Sequence, residues 1–280
     1  MGIHDVAVRL GLSYTNNKEA EWKLAKFIEI KLINSAKIFE ENIEIVPHTK
    51  TFIACIGEVW QEKGRQNKFF VEDSFLKRYF PDLCGQDKPI RFYDDIRGTD
   101  SCAECHHVNG KYKGIAIWVG LLEKCNNVSE LSKYLQVIIA NVYHECSHAY
   151  MESNNKEIED IETQILYFTD EAEIRAISNA LAVVYSKAFP HKSFNFKLLK
   201  LFISENYDAN IPIYSHFRMI DLFRDPKNFR SDKNQELNQY ISDRILPGGH
   251  RITVAMLRVA FVKYMNYMSY FVDYLNKNSR

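Results

Sequence analysis

Two histidines four residues apart, His144 and His148, flank Glu145 and Cys146 in the run HECSH. A helix turns once in about 3.6 residues, so imidazoles at i and i+4 leave one face a turn apart and can grip a single zinc ion. The glutamate beside the first histidine then reaches a water on the metal, where it can act as a general base. Catalytic zinc takes three protein ligands and keeps one position open, so a third ligand has to come from elsewhere. Downstream, Glu171 and Glu173 are the nearest candidates. On a helix, Glu173 shares a face with Ile177, Ala180, Leu181 and Val184. That face packs, and an ionised carboxylate is tolerated there when a cation neutralises it, which favours Glu173 over Glu171. A competing role is a capping box, because with Asp170 as N-cap, Glu173 falls at the third helical position.

The elements that must position these groups follow from periodicity. Leu131, Leu135, Ile138, Val142 and Cys146 recur at threes and fours, which predicts a helix over Leu131–Glu152 with Ser129 as its N-cap and Ser153-Asn154-Asn155 as its end. His144 and His148 lie on a neighbouring face with Val137 and Asn141, beside the core stripe. Cys146 points away from the histidines into the core. Upstream, Asn109-Gly110 is a turn signal between two extended runs, so a hairpin is expected. Its second arm, Gly114–Gly120, alternates Ile115, Ile117 and Val119 with Ala116 and Trp118. That arm reads either as an edge strand open to an extended peptide or as an interior strand paired on both sides. Arg91–Asp95 reads as a short strand. Downstream, Lys156–Phe168 and Asp170–Lys187 read as helices.

HECSH followed by Glu173-Ile-Arg-Ala176 in a later helix resembles the gluzincin-type zinc metallopeptidases, including the ImmA/IrrE-like and CAAX-prenyl-protease groups. The resemblance covers roughly residues 114 to 185. It implies a zincin-like catalytic core of a small sheet with an edge strand, an active-site helix and a glutamate helix. It also implies His144, His148 and Glu173 as zinc ligands and Glu145 as the general base. One departure stands out: many members of that clan carry Asp or Asn after the small residue, where this chain has Ile177.

The remaining motifs carry less chemistry. Cys102-Ala-Glu-Cys105-His106 matches the haem-attachment pattern, which requires an exported chain; Cys102, Cys105 and His106 or His107 also offer part of a structural zinc site that Cys84 or Cys125 would have to complete. A donor to the oxyanion of peptide hydrolysis is sought among Tyr214, His216, Arg218 and His250. His250 is preferred because Pro247-Gly248-Gly249 precedes it.

Of the 280 residues, 46% are hydrophobic and 26% charged, with few Gly and Pro, as in an ordinary helix-rich globular chain able to bury a core. Lys plus Arg and Asp plus Glu both total 36, so no global field argues for nucleic acid. The N-terminus has no apolar signal run, Val6 stands where myristoylation needs Ser or Thr, and no segment is long enough to span a bilayer. Six cysteines in such a chain fit reduced thiols, so a cytoplasmic setting is expected, with signal-less secretion left open.

The amphipathic run from Asn17 to Asn42 predicts a long or broken helix, and Asn42–Val46 a strand before Pro47. Phe52–Gln61 reads as helix or strand. Phe194–Glu205 and Ile252–Asn276 read as helices, the latter with a Met and aromatic packing stripe. The expected fold is therefore helix-rich α+β: residues 1–90 mostly helical, 91–190 a zincin-like core, and 191–280 helical, or all three in one compact domain. The expected function is a zinc metallopeptidase acting on a peptide or protein. The rival is a zincin-like scaffold that binds a partner without hydrolysis. Substrate identity and oligomeric state are not readable from the residues.

Overall fold

The computed structural model describes residues 18–45, 51–60, 69–70, 90–95, 102–108, 111–149, 161–207, 211–224 and 252–278. The chain divides into two compact units. One holds the described residues from 18 to 149 with 211 and 212, and the other those from 161 to 207 and from 213 to 278. The architecture is helix-rich α+β with one small sheet.

In the first unit, α1 (Lys18–Ile45) is one continuous helix and α2 (Phe52–Trp60) follows it. Residues 42–45, expected as a strand, extend α1 instead. Trp22, Ala25, Ile28, Leu32, Ala36 and Phe39 form its buried stripe at helical spacing. The FIACIGEVW run is helical too, and a ring contact at 5.4 Å between Phe39 and Phe52 joins the two helices.

The sheet contains β1 (Phe69–Phe70), β2 (Ile90–Tyr93), β3 (Ala103–Val108) and β4 (Lys111–Trp118), in the order β1-β2-β4-β3. The expected hairpin is present: β3 and β4 pair antiparallel, while Asn109-Gly110 itself lies outside the described residues. The edge assignment for Ile115–Val119 is overturned. β4 pairs with β2 in parallel on one side and β3 on the other, so it is interior, and the edge beside it is β3. Burial agrees, because Ile115 to Val119 are covered on both faces, where a half-exposed strand would alternate. Register slips between His106 and His107, opposite Gly114, whose φ of 130° only glycine adopts without strain.

After a short helix α3 (Gly120–Glu123) comes α4 (Val128–His148). Gly120 is required where it stands, since a Cβ there would lie 2.5 Å from Asp95 O. The N-cap of α4 is Asn127, not Ser129: Asn127 Oδ1 accepts from Glu130 N at 2.9 Å, and Glu130 Oε2 accepts from Asn126 N at 2.9 Å. The helix ends at His148, short of Glu152; Ala149 N–H bonds back to Cys146 O, and residues 150–160 lie outside the described set. All five predicted core residues of α4 are buried. Its other faces meet α1, β3 and β4.

The second unit consists of α5 (Ile161–Thr169), α6 (Glu171–Ala188), α7 (Phe196–Glu205), α8 (Pro212–Arg224) from its second residue on, and α9 (Val254–Asn278). The helix α9 packs along α6 and α5. Of its Met and aromatic stripe, Met268 and Phe271 are buried, Phe261 and Met265 half-buried, and Met256 exposed. No helix among the described residues is long and apolar enough to cross a membrane.

Candidate metal centre

The last turn of α4 carries His144, Glu145 and His148, and the first unit holds all three together. His144 Nε2 and His148 Nε2 face each other at 3.2 Å, with ring planes inclined at 66°. Two imidazole nitrogens that close need a proton between them or a cation in its place. Both residues are buried, 7% and 8% exposed, so the pair is largely shielded from water. The C-terminal end of a helix also presents the negative end of its dipole, which favours a cation at this turn.

Glu145 is split between two neighbours. Its Oε2 accepts from the backbone N–H of Cys105 at 2.8 Å, and its Oε1 lies 3.9 Å from His144 Nε2. Cys105 sits on the edge strand, so the amide that bonds Glu145 is one the β3–β4 ladder leaves available. Two residues along the strand, His107 Nε2 meets His148 O at 3.1 Å. A carbonyl only accepts, so His107 carries its proton on Nε2.

Behind the motif, Tyr143 is fully buried and its hydroxyl donates to Glu29 Oε2 on α1 at 2.8 Å, with Lys26 3.1 Å from the same oxygen. Trp22 packs edge-on against the Tyr143 ring at 5.7 Å. These contacts fix the rotation of α4, and with it the direction of His144. Glu21, also on α1, is fully buried and near enough to the Cys105 thiol to act on its ionisation. The sequence reading missed Glu21, Glu29, Cys105 and His107 in these roles. The signal for the two glutamates was their place on the apolar stripe, one turn from Ala25 on either side.

In the second unit, Asp170 is the N-cap of α6, and its carboxylate takes the N–H of Ala172 at 2.9 Å. The Asp170 N–H donates to Tyr167 O at 3.1 Å. A capping box would instead join the Asp170 carboxylate to the N–H of Glu173, so that competing role for Glu173 loses its main bond. Glu173 is half-buried, with Oε2 shielded from solvent. Tyr264 lies close by, its hydroxyl donating to Phe168 O at 2.9 Å. Burial, then Glu173 and Asp170, hold that phenol well above its ordinary range, so it stays a donor. Glu171 is committed elsewhere: its carboxylate pairs with Lys263 Nζ and accepts from Tyr267 Oη at 2.7 Å.

Among the described residues the cysteine motif does not assemble into a ligand group. Burial raises the Cys102 thiol to about 11 against a lowering contact with Asn141. Burial also raises Cys105 well above its usual value, reinforced by Glu145, Cys146 and Glu21. His106 Nδ1 lies 3.6 Å from Glu104 Oε1, and Cys125 is a buried free thiol raised by burial to about 11. No metal-ligand group among the described residues includes a cysteine; Cys84 lies outside them. Of the oxyanion candidates, Tyr214 is buried, His216 packs on Phe168 at 5.3 Å between ring centroids, and Arg218 is exposed above the Tyr207 ring. His250 lies outside the described residues.

No family model, curated protein or solved structure matches this chain.

Proposed function

We propose that the chain is a zinc-dependent metallopeptidase with a zincin-like core, in which His144, His148 and Glu173 hold the ion and Glu145 is the general base. The observation that carries this reading is the approach of His144 Nε2 to His148 Nε2 at 3.2 Å, with the Glu145 carboxylate beside them. The residues fit a zinc ion: each offers one ligand atom, two imidazole nitrogens and a carboxylate oxygen, with both histidines buried and Glu173 half-buried. The cap of α6 and the ties on Glu171 support Glu173 over its neighbour. When bound, zinc supplies Lewis acidity, which acidifies water and polarises a carbonyl.

The chain's own residues supply the rest. Glu145 takes the proton of the attacking water and passes it to the leaving amine. The Cys105 amide holds one oxygen of that carboxylate and leaves the other directed toward the histidines. An extended peptide pairs with β3, the edge strand that flanks α4, and not with Ile115–Val119, the arm proposed as the edge, which is interior. His250 is retained as the proposed oxyanion donor. The described cysteines are not joined in disulfides, and a reducing, cytoplasmic setting is the one proposed.

The test pairs metal analysis with Glu145→Gln. Purified wild type should hold about one equivalent of zinc per chain, and Glu145→Gln should keep zinc and fold while peptide cleavage falls about 10²-fold or more. Zinc below a few tenths of an equivalent after reconstitution overturns the metal site. Full zinc with no cleavage by wild type of a proteome-derived peptide library supports the scaffold reading instead.

A further inference from the structure

We infer that the edge strand β3 splints the HExxH turn, with His107 as a positioning residue for His148. This rests on the reading of His148 as a metal ligand. The last carbonyls of a helix have no intrahelical partner, and helix ends fray unless those groups are tied. In α4 that end is the turn that carries Glu145 and His148. Two bonds from β3 reach it, one from the strand's backbone and one from a side chain: Cys105 N–H to Glu145 Oε2 at 2.8 Å, and His107 Nε2–H to His148 O at 3.1 Å.

The strand is shaped for this. The Cys105 N–H points away from β4, at the edge where it meets Glu145. The register slip opposite Gly114 brings His107 against Tyr112, whose ring meets the imidazole edge-on at 6.2 Å. The Tyr112 contact fixes the plane of the imidazole while its N–H caps the ligand's own carbonyl. His107 meets the backbone carbonyl of His148 and leaves its ring to the metal, so its role is to hold the last turn in register.

The deciding comparison is His107→Gln against His107→Met, two side chains of similar length and volume of which only Gln can donate to His148 O. Zinc affinity is measured by competition with a chromophoric chelator, and amide hydrogen exchange is followed over residues 144–149. His107→Gln should stay within about twofold of wild type in affinity, and His107→Met should bind zinc about tenfold more weakly, in line with outer-shell partners elsewhere. Exchange in the last turn should quicken in His107→Met alone, with thermal unfolding of the two variants matched. Equal zinc affinity and equal exchange in both variants overturn the splint, as does weakening by both alike. If wild type binds no zinc, the metal reading fails, and exchange alone decides whether His107 holds the turn.

Discussion

Glu145 and Cys105, forty residues apart, are joined by a hydrogen bond of 2.8 Å from the strand amide to the carboxylate. The amide takes one oxygen and leaves the other turned to His144, so the position of the proposed base is set by the backbone of an edge strand.

Proline substitution separates the edge from the interior. Cys105→Pro removes the N–H that serves Glu145 and no ladder bond, so the fold should survive while kcat falls about 10²-fold from a misplaced base. Cys105→Ala, which keeps the amide, should retain activity. Ala116→Pro strikes β4 between Arg91 and Glu104, its partners on either side, and should cost about 3 kcal/mol or more. Urea unfolding and steady-state kinetics check both; a folded, stable Ala116→Pro would contradict the interior placement.

The two glutamates at the start of α6 should fail differently. Glu173→Ala should lose zinc affinity by orders of magnitude as a ligand. Glu171→Ala should keep zinc and lose about 1 kcal/mol of stability, because Tyr267 and Lys263 lose their acceptor. Isothermal titration with zinc and chemical denaturation distinguish them, and the reverse order would refute the assignment.

Glu123 makes stability depend on pH. Burial raises its carboxyl above 4.5, outweighing the lowering by the N–H groups of Ile53 and Phe52 at the start of α2. The folded state therefore holds this proton more tightly than the unfolded chain. Its stabilising contribution is complete below the ordinary carboxylate value and is lost as pH rises through the raised one. Glu123→Gln should remove that slope, so the stability of wild type relative to the variant should decline from pH 4 upward. A relative stability that climbs with pH would show that hydrogen bonding to the carboxylate dominates.

Cys102 and Cys125, both raised to about 11 by burial, should resist alkylation in the native state, since at pH 8 only about one in 10³ is thiolate. Cys102→Ser should leave zinc stoichiometry unchanged. A loss of one zinc on that substitution would restore a role for the cysteine motif.

What the sequence by itself determined is local. The threefold and fourfold recurrence in 131–146, the spacing of His144 and His148, and the turn signal between β3 and β4 are each encoded within one or two turns of chain. Periodicity read them because a helix or hairpin repeats over neighbouring residues. The end of α1 and the identity of the α4 cap were misread by a few residues, since Asn127 and Ser129 are chemically equivalent caps until the backbone chooses. The tertiary structure alone decided the rest. β4 is interior because β2, whose partner register is set more than twenty residues away, pairs with it in parallel, and alternation within 114–120 carries no trace of that neighbour. Glu171 and Glu173 are told apart by Lys263 and Tyr267, more than ninety residues downstream. Cys105 and His107 became supports of the HExxH turn only when β3 was laid against α4, because a backbone amide and a carbonyl have no signature in the order of side chains.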